Sequence, residues 1–194
     1  RLGVTIENNA EIKVYRIDPP KDFEKWAKIC EHIVAHYNEG WADGYHMNIT
    51  YWEVWNEPDD GERQSHMWNG TPEEYYRLYE AVSKRLKARF PNIKVGGYAS
   101  ISLALGYKEI PETRPDYVQL QYYLKFFHGF LSYVKEHNCP IDFYSWHTYA
   151  DTASALEQAD YIHKCLVEYG LGNIEAHLNE WNPFYTERGT AHHG

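Results

Sequence analysis

The stretch Tyr51–Asp60, "YWEVWNEPDD", reads as a β-strand built from Tyr, Trp and Val that carries two carboxylates, Glu53 and Glu57, and is stopped by Pro58. A charged group inside an apolar strand costs free energy unless it is paired or put to use. The position of these acids, at and near the end of a strand, is therefore the first clue to the fold.

Working outward, apolar residues at Phe23, Trp26, Ala27, Cys30, Ile33, Val34 and Tyr37 form a one-sided helical stripe between Pro19 and Tyr37, ahead of a strand over 49–56. Downstream, "TPEE" predicts a helix start, with Thr71 as N-cap, Pro72 at the first helical position and Glu74 closing a capping box. Its stripe continues through Tyr75, Leu78, Tyr79, Val82 and Leu86 until "FPN" ends it. A short strand, "NIKVGGYAS", follows, its glycines marking a close approach of backbone. A third helix, the strand "IDFYSWHTYA" (141–150), a helix over about 153–169 and the strand "NIEAHLNEW" (173–181) complete the pattern.

With "LGVTIE" as a frayed opening strand, the order is β-α-β-α-β-α-β-α-β. Strict alternation predicts an α/β fold with parallel strands and right-handed crossovers. A doubly wound nucleotide-binding sheet needs a Gly-rich strand-to-helix turn, and no junction contains G-x-G-x-x-G or a phosphate loop. Instead the polar and aromatic residues suited to chemistry gather at the C-terminal ends of several strands: Asn56 and Glu57, Tyr98, His147 and Tyr149, Glu180 and Trp181. That distribution belongs to a (β/α)8 TIM barrel. A full barrel takes about 250 residues, and this chain has 194. Residues 1–194 are thus expected to form a single barrel domain representing about strands 3 to 7, lacking the first two and the last, which another segment or another chain would supply.

The formal charge of −9 disfavours capture of a phosphate backbone, so no nucleic-acid partner is expected. No apolar span of 18 residues points to a membrane, and no signal peptide is visible. Because the chain opens on "RLGVTIE" without Met, extracellular, periplasmic and cytoplasmic locations all stay open. The count of 18 Tyr and 7 Trp at a mean hydropathy of −0.68 implies that many rings sit at half-wet surfaces. Such rings suit a carbohydrate partner, stacking a face on C–H groups and offering a polar edge. Cys30, Cys139 and Cys165 have no metal-type spacing, and Cys30 falls on an apolar helix face. No histidine pair has zinc spacing, so neither metal nor cofactor is expected.

Glu57 in "WNEP" and Glu180 in "NEW" each end a strand beside an Asn and a Trp, three βα units apart. Across a barrel such tips face one another, and two facing carboxylates are the apparatus of glycoside hydrolysis. Glu57 and Glu180 are accordingly the candidate catalytic residues. Glu53 shares the side-chain direction of Glu57 but lies deeper, where a hydrogen-bonded structural role is expected. His147 and Tyr149 lie on one face of their strand and are candidates for substrate binding or for tuning the acids, with core packing as the alternative.

The ordered set "PPKDFEKW", "YWEVWNEPD", "WNGTPEEYYRLYEAVSKRLK", "IKVGGYAS", "IDFYSWHTY" and "LNEWN" resembles glycoside hydrolases of clan A, and most closely family 39, which contains β-xylosidases and α-L-iduronidases. The resemblance covers about residues 19–182. It implies a (β/α)8 barrel and hydrolysis with retention of configuration, most often of a terminal β-linked xylose. Glu57, at the end of the fourth barrel strand, would be the acid/base and Glu180, at the end of the seventh, the nucleophile. Asn56 would bind the sugar hydroxyl next to the anomeric carbon and Tyr149 would support Glu180; His147 and Trp181, read from their places at strand ends, are the further substrate-binding candidates. The chain departs from the family in carrying Tyr98 in "GGYAS" and Asn179 rather than Thr before the nucleophile, which bears on sugar choice. A hexoside is one alternative substrate. A uronide is another, for which Lys108 and Arg114 are the cationic candidates. A non-catalytic carbohydrate-binding remnant is the alternative to an enzyme, and a homo-oligomer is compatible with the sequence.

Overall fold

The computed structural model describes residues 1–3, 17–61, 67–101, 103 and 111–182. Its elements alternate: α1 (Phe23–Glu39), β1 (Tyr51–Glu53), α2 (Pro72–Arg89), β2 (Lys94–Ser100), α3 (Tyr117–Glu136), β3 (Phe143–Thr148), α4 (Thr152–Glu168) and β4 (Glu175–Trp181). The helix ends follow local chemistry. Asp22 accepts from the Lys25 amide at 2.9 Å to start α1, and Gly40, at φ 76°, closes it in the left-handed conformation that glycine adopts most readily. Thr71 and Glu74 form the reciprocal capping box of α2, and Asp151 caps α4.

The four strands form one parallel sheet in the order β1-β2-β3-β4. Leu2 adds a parallel bridge to Val54, so the start of the chain lies along the free side of β1. The rest of the opening strand, from Val4 onward, and the tail with His192 and His193 lie outside the described residues. β1 is shorter than the strand expected over 49–56, because the chain turns sharply after Val54.

The sheet is strongly curled. Three inter-strand steps would separate β1 and β4 by roughly 14 Å in a flat sheet, yet the Tyr51 hydroxyl donates to Glu175 Oε2 at 3.0 Å and Asn179 Nδ2 donates to Glu53 Oε1 at 2.7 Å. This is the wall of a (β/α)8 barrel, with the helices on the convex side and a polar concave face.

Between sheet and helices lies an aromatic core in which Tyr75, Tyr79, Tyr98, Phe126, Phe130 and Tyr144 meet through ring contacts. Among the described residues Tyr75, Tyr76, Tyr79, Tyr98, Tyr122 and Tyr144 are buried, while Tyr37, Tyr45, Tyr51 and Tyr149, with Trp41 and Trp181, are exposed, as expected of rings at half-wet surfaces. Two of the core phenols use their hydroxyls on strand and loop carbonyls: Tyr75 donates to Val54 at 2.8 Å and Tyr79 to Pro140 at 3.0 Å. Tyr98, grouped by sequence with the strand-end residues, belongs to this core; it is fully buried against α3 and takes no part in the mouth. Gly96 satisfies the expectation of close passage, since a Cβ there would stand 2.2 Å from the Phe143 carbonyl oxygen. Cys30, Cys139 and Cys165 are free and buried. No helix among the described residues is long and apolar enough to cross a membrane.

Candidate active site

At the C-terminal end of β1 the backbone enters the left-handed region twice, at Trp55 (φ 73°) and Glu57 (φ 45°). Each such residue costs on the order of 1–2 kcal/mol. The turn is held in place by its surroundings. Trp55 donates a bond on each side, its amide to the Leu2 carbonyl and its indole Nε1 to the Met67 carbonyl at 2.8 Å. The Glu57 amide donates to Ala99 O at 3.0 Å, which ties the turn to β2. Asp59, fully buried, accepts from Ser100 Oγ at 2.9 Å and from the Ile101 amide at 3.0 Å. Burial pushes its carboxyl up to about 8, against the opposing pull of those two hydrogen bonds. These contacts aim Glu57 into the concave side.

β3 contributes His147 and β4 contributes Glu180. The β3–β4 ladder pairs Trp146 with Leu178 and then His147 with Glu180, so one extra residue, Asn179, sits on β4. A bulge of this kind re-aims side chains. Here it lets two consecutive residues face the barrel interior, Asn179 onto Glu53 and Glu180 toward His147.

The fully buried His147 stands between the two glutamates, with Nδ1 2.7 Å from Glu57 Oε1 and 3.7 Å from Glu180 Oε2. One carboxyl oxygen of Glu57 and one of Glu180 lie within 4.8 Å of each other. The Tyr149 hydroxyl donates to Glu180 Oε1 in a short contact. Partial burial and the adjacent carboxylate raise this phenol above its ordinary value, so it remains a neutral donor. Arg1, which nothing in the sequence marked, reaches the same place. Its Nε pairs closely with Glu53 Oε2, Nη2 is 3.3 Å from His147 Nε2, and Nη1 is 3.8 Å from Glu180 Oε2.

The remaining candidates separate. Asn56, next to Glu57 in the chain, is buried, with its Nδ2 4.0 Å from Met67 Sδ and its Oδ1 unpartnered among the described residues. Trp181, at 66 % exposure, presents its ring at the end of β4. Glu53 is hydrogen-bonded to Arg1 and to Asn179. Arg114 is engaged by Asp116 in an exposed pair, and Lys108 lies outside the described residues. Arg1 and Asp59 escaped sequence reasoning, and Asn179, noted in the sequence only as a departure from the family, proves to brace Glu53. For Asp59, an acid two places after Glu57 in "NEPD" was a usable signal; for Arg1 there was none.

The three donor atoms of Glu57, His147 and Glu180 could hold a metal ion as well as share protons. The fixed positive charge of Arg1 beside them opposes a cation and favours acid–base and nucleophilic chemistry. Two carboxylates converging on one imidazole at the C-terminal mouth of a parallel barrel wall define the class to which the chain should be compared.

Comparison with known proteins agrees with that class. Residues 9–183 match glycosyl hydrolases family 39, and the chain belongs to this family. It is 28 % identical over 148 residues to a beta-xylosidase of Caldicellulosiruptor saccharolyticus, covering 74 % of this chain and 25 % of that protein. It is 24 % identical over 196 residues to a beta-xylosidase of Geobacillus stearothermophilus, covering 91 % and 34 %. Among solved structures, a glucosidase from Croceicoccus marinus superposes with a TM-score of 0.71 at 28 % identity, over 90 % of this chain and 34 % of that one. A family 39 beta-xylosidase from Caulobacter crescentus superposes at 0.61 and 22 % identity, over 89 % and 33 %. The chain thus spans a quarter to a third of the length of these relatives.

Proposed function

We propose that the protein carrying this chain is a retaining glycosidase that removes a terminal β-linked sugar, xylose first among the candidates. The observation that carries the reading is the convergence of Glu57 and Glu180 on His147 Nδ1, which brings one carboxyl oxygen of each within 4.8 Å of the other; retention asks for carboxyl groups about 5–5.5 Å apart and inversion for roughly 6.5–9.5 Å. Family membership and the names of the beta-xylosidase relatives support the substrate class.

In the first half-reaction a carboxylate oxygen of Glu180 attacks the anomeric carbon, and the bond from that carbon to the leaving oxygen breaks. Glu57 gives its proton to the departing oxygen. In the second half Glu57 takes a proton from water, whose oxygen attacks the anomeric carbon and releases Glu180 as a carboxylate. Tyr149 orients the nucleophile by donating to its Oε1, and His147 holds the acid/base by its Oε1. Asn56 offers an amide to the hydroxyl beside the anomeric carbon, and the exposed ring of Trp181 offers a stacking face. The structural likeness to a glucosidase favours a β-glucoside as the second substrate to try.

The test is a panel of aryl β-xylosides, β-glucosides and uronides, with Glu180→Gln as control and the anomer of the first-formed product read by NMR. Turnover of a β-xyloside with retention, abolished in the control, is the expected result. Equal rates for both proteins would reduce the chain to a carbohydrate-binding remnant.

A further inference from the structure

We infer that Arg1 is a positioning residue acting through His147: it holds the imidazole with its single proton on Nδ1 and thereby assigns the transferable proton of Glu57 to Oε2. This rests on the reading of Glu57 as the acid/base. The guanidinium is itself anchored. Glu53, nearly buried, takes Arg1 Nε on Oε2 while Asn179 donates to its Oε1 at 2.7 Å, so the carboxylate is held from both sides.

From this anchored group Nη2 approaches His147 Nε2 at 3.3 Å. A guanidinium has five donors and no acceptor, so Nε2 must accept and the proton of the neutral ring lies on Nδ1. Nδ1 is 2.7 Å from Glu57 Oε1 and therefore donates to it. An O–H on that oxygen would set two hydrogens against each other, so the protonated acid carries its hydrogen on Oε2, the oxygen His147 leaves unengaged. Without Arg1 the ring is free to take the other tautomer. Nδ1 would then accept from an Oε1–H, and the proton would be held in an internal bond rather than offered to the leaving group. Among the described residues the charged groups that meet the ring are Arg1, Glu57 and Glu180, the last 3.7 Å from Nδ1.

The experiment compares wild type, Arg1→Met and Arg1→Lys in the protein carrying this chain. The His147 tautomer is read from imidazole nitrogen NMR of histidine-labelled protein, assigned by loss of the signal in His147→Asn. The expected result is the Nδ1–H form in wild type and Arg1→Lys, and a shift toward Nε2–H in Arg1→Met. In parallel, Arg1→Met should lower kcat/KM by about tenfold or more for aryl glycosides with poor leaving groups while sparing activated ones, as loss of acid assistance requires. A wild-type ring protonated on Nε2, or an Arg1→Met spectrum identical to wild type, overturns the inference while leaving the glycosidase reading intact. Wild-type protein inactive on every glycoside overturns the proposed function instead. Arg1→Lys, folded and with a donor retained, separates the lost donor from general damage.

Discussion

His147 pairs with Glu180 across the β3–β4 ladder one residue out of step with the pairing of Trp146 and Leu178. In an unbroken strand, successive side chains point to opposite faces, so Asn179 and Glu180 could not both face the barrel interior. The bulge makes both available, one to brace the site and one to act in it. Asn179→Ala should therefore lower kcat/KM by a few-fold. In a double-mutant cycle with Glu53→Gln its coupling should be about 0.5–1.5 kcal/mol, the range for a hydrogen-bonded pair in one network. Strict additivity would mean that the brace does not act as a unit.

Replacing Glu180 by Gln should reduce turnover by roughly a thousandfold or more, as loss of a nucleophile does. Glu57→Ala should act differently: substrates with good leaving groups retain much of the first half-reaction, and added azide restores turnover while forming a β-glycosyl azide. Formation of an α-azide would place Glu57 on the face of the sugar from which the nucleophile attacks and overturn its assignment as the acid/base.

Tyr149→Phe removes the donor to Glu180 and keeps the ring. A hydrogen bond to a charged group at this partly exposed position contributes on the order of 1.5 kcal/mol, so kcat/KM should fall about tenfold with little change in thermal stability. A fall in melting temperature without a kinetic change would make Tyr149 a packing residue.

Asp59 gives a prediction in pH. Its carboxyl is pushed up to about 8 by burial, from an ordinary value of 3.8. The folded state therefore binds this proton more tightly than the unfolded chain, a contribution complete below 3.8 and lost as pH rises toward 8. Over that window the Asp59 contribution to stability slopes downward by up to about 1.4 kcal/mol per pH unit. Asp59→Asn cannot titrate, so its stability relative to wild type should rise steadily from pH 4 to pH 8 in urea titrations. Parallel curves for the two proteins would show that Asp59 is not the titrating group.

Gly96→Ala tests the tight passage of β2 beside β3. The added methyl would meet the Phe143 carbonyl oxygen at 2.2 Å and the Phe143 ring at 2.6 Å. Backbone oxygen cannot yield as a flexible side chain can, so the variant should lose about 1–3 kcal/mol or more in chemical denaturation.

Sequence by itself determined the alternation of strands and helices, the capping box at Thr71 and Glu74, and the placing of Glu57 and Glu180 at strand ends. These are local or periodic properties, set by propensity, pattern and caps within a few residues. What the tertiary structure decided was direction. Two left-handed residues at Trp55 and Glu57 and the bulge at Asn179 set where the carboxylates point beyond their regular strands, and no periodicity encodes such breaks. The same holds for Tyr98, which the pattern left at the mouth and the fold turned into the aromatic core. It holds most for Arg1, which meets Glu53, His147 and Glu180 only because the curled sheet brings together residues more than fifty positions apart in the chain.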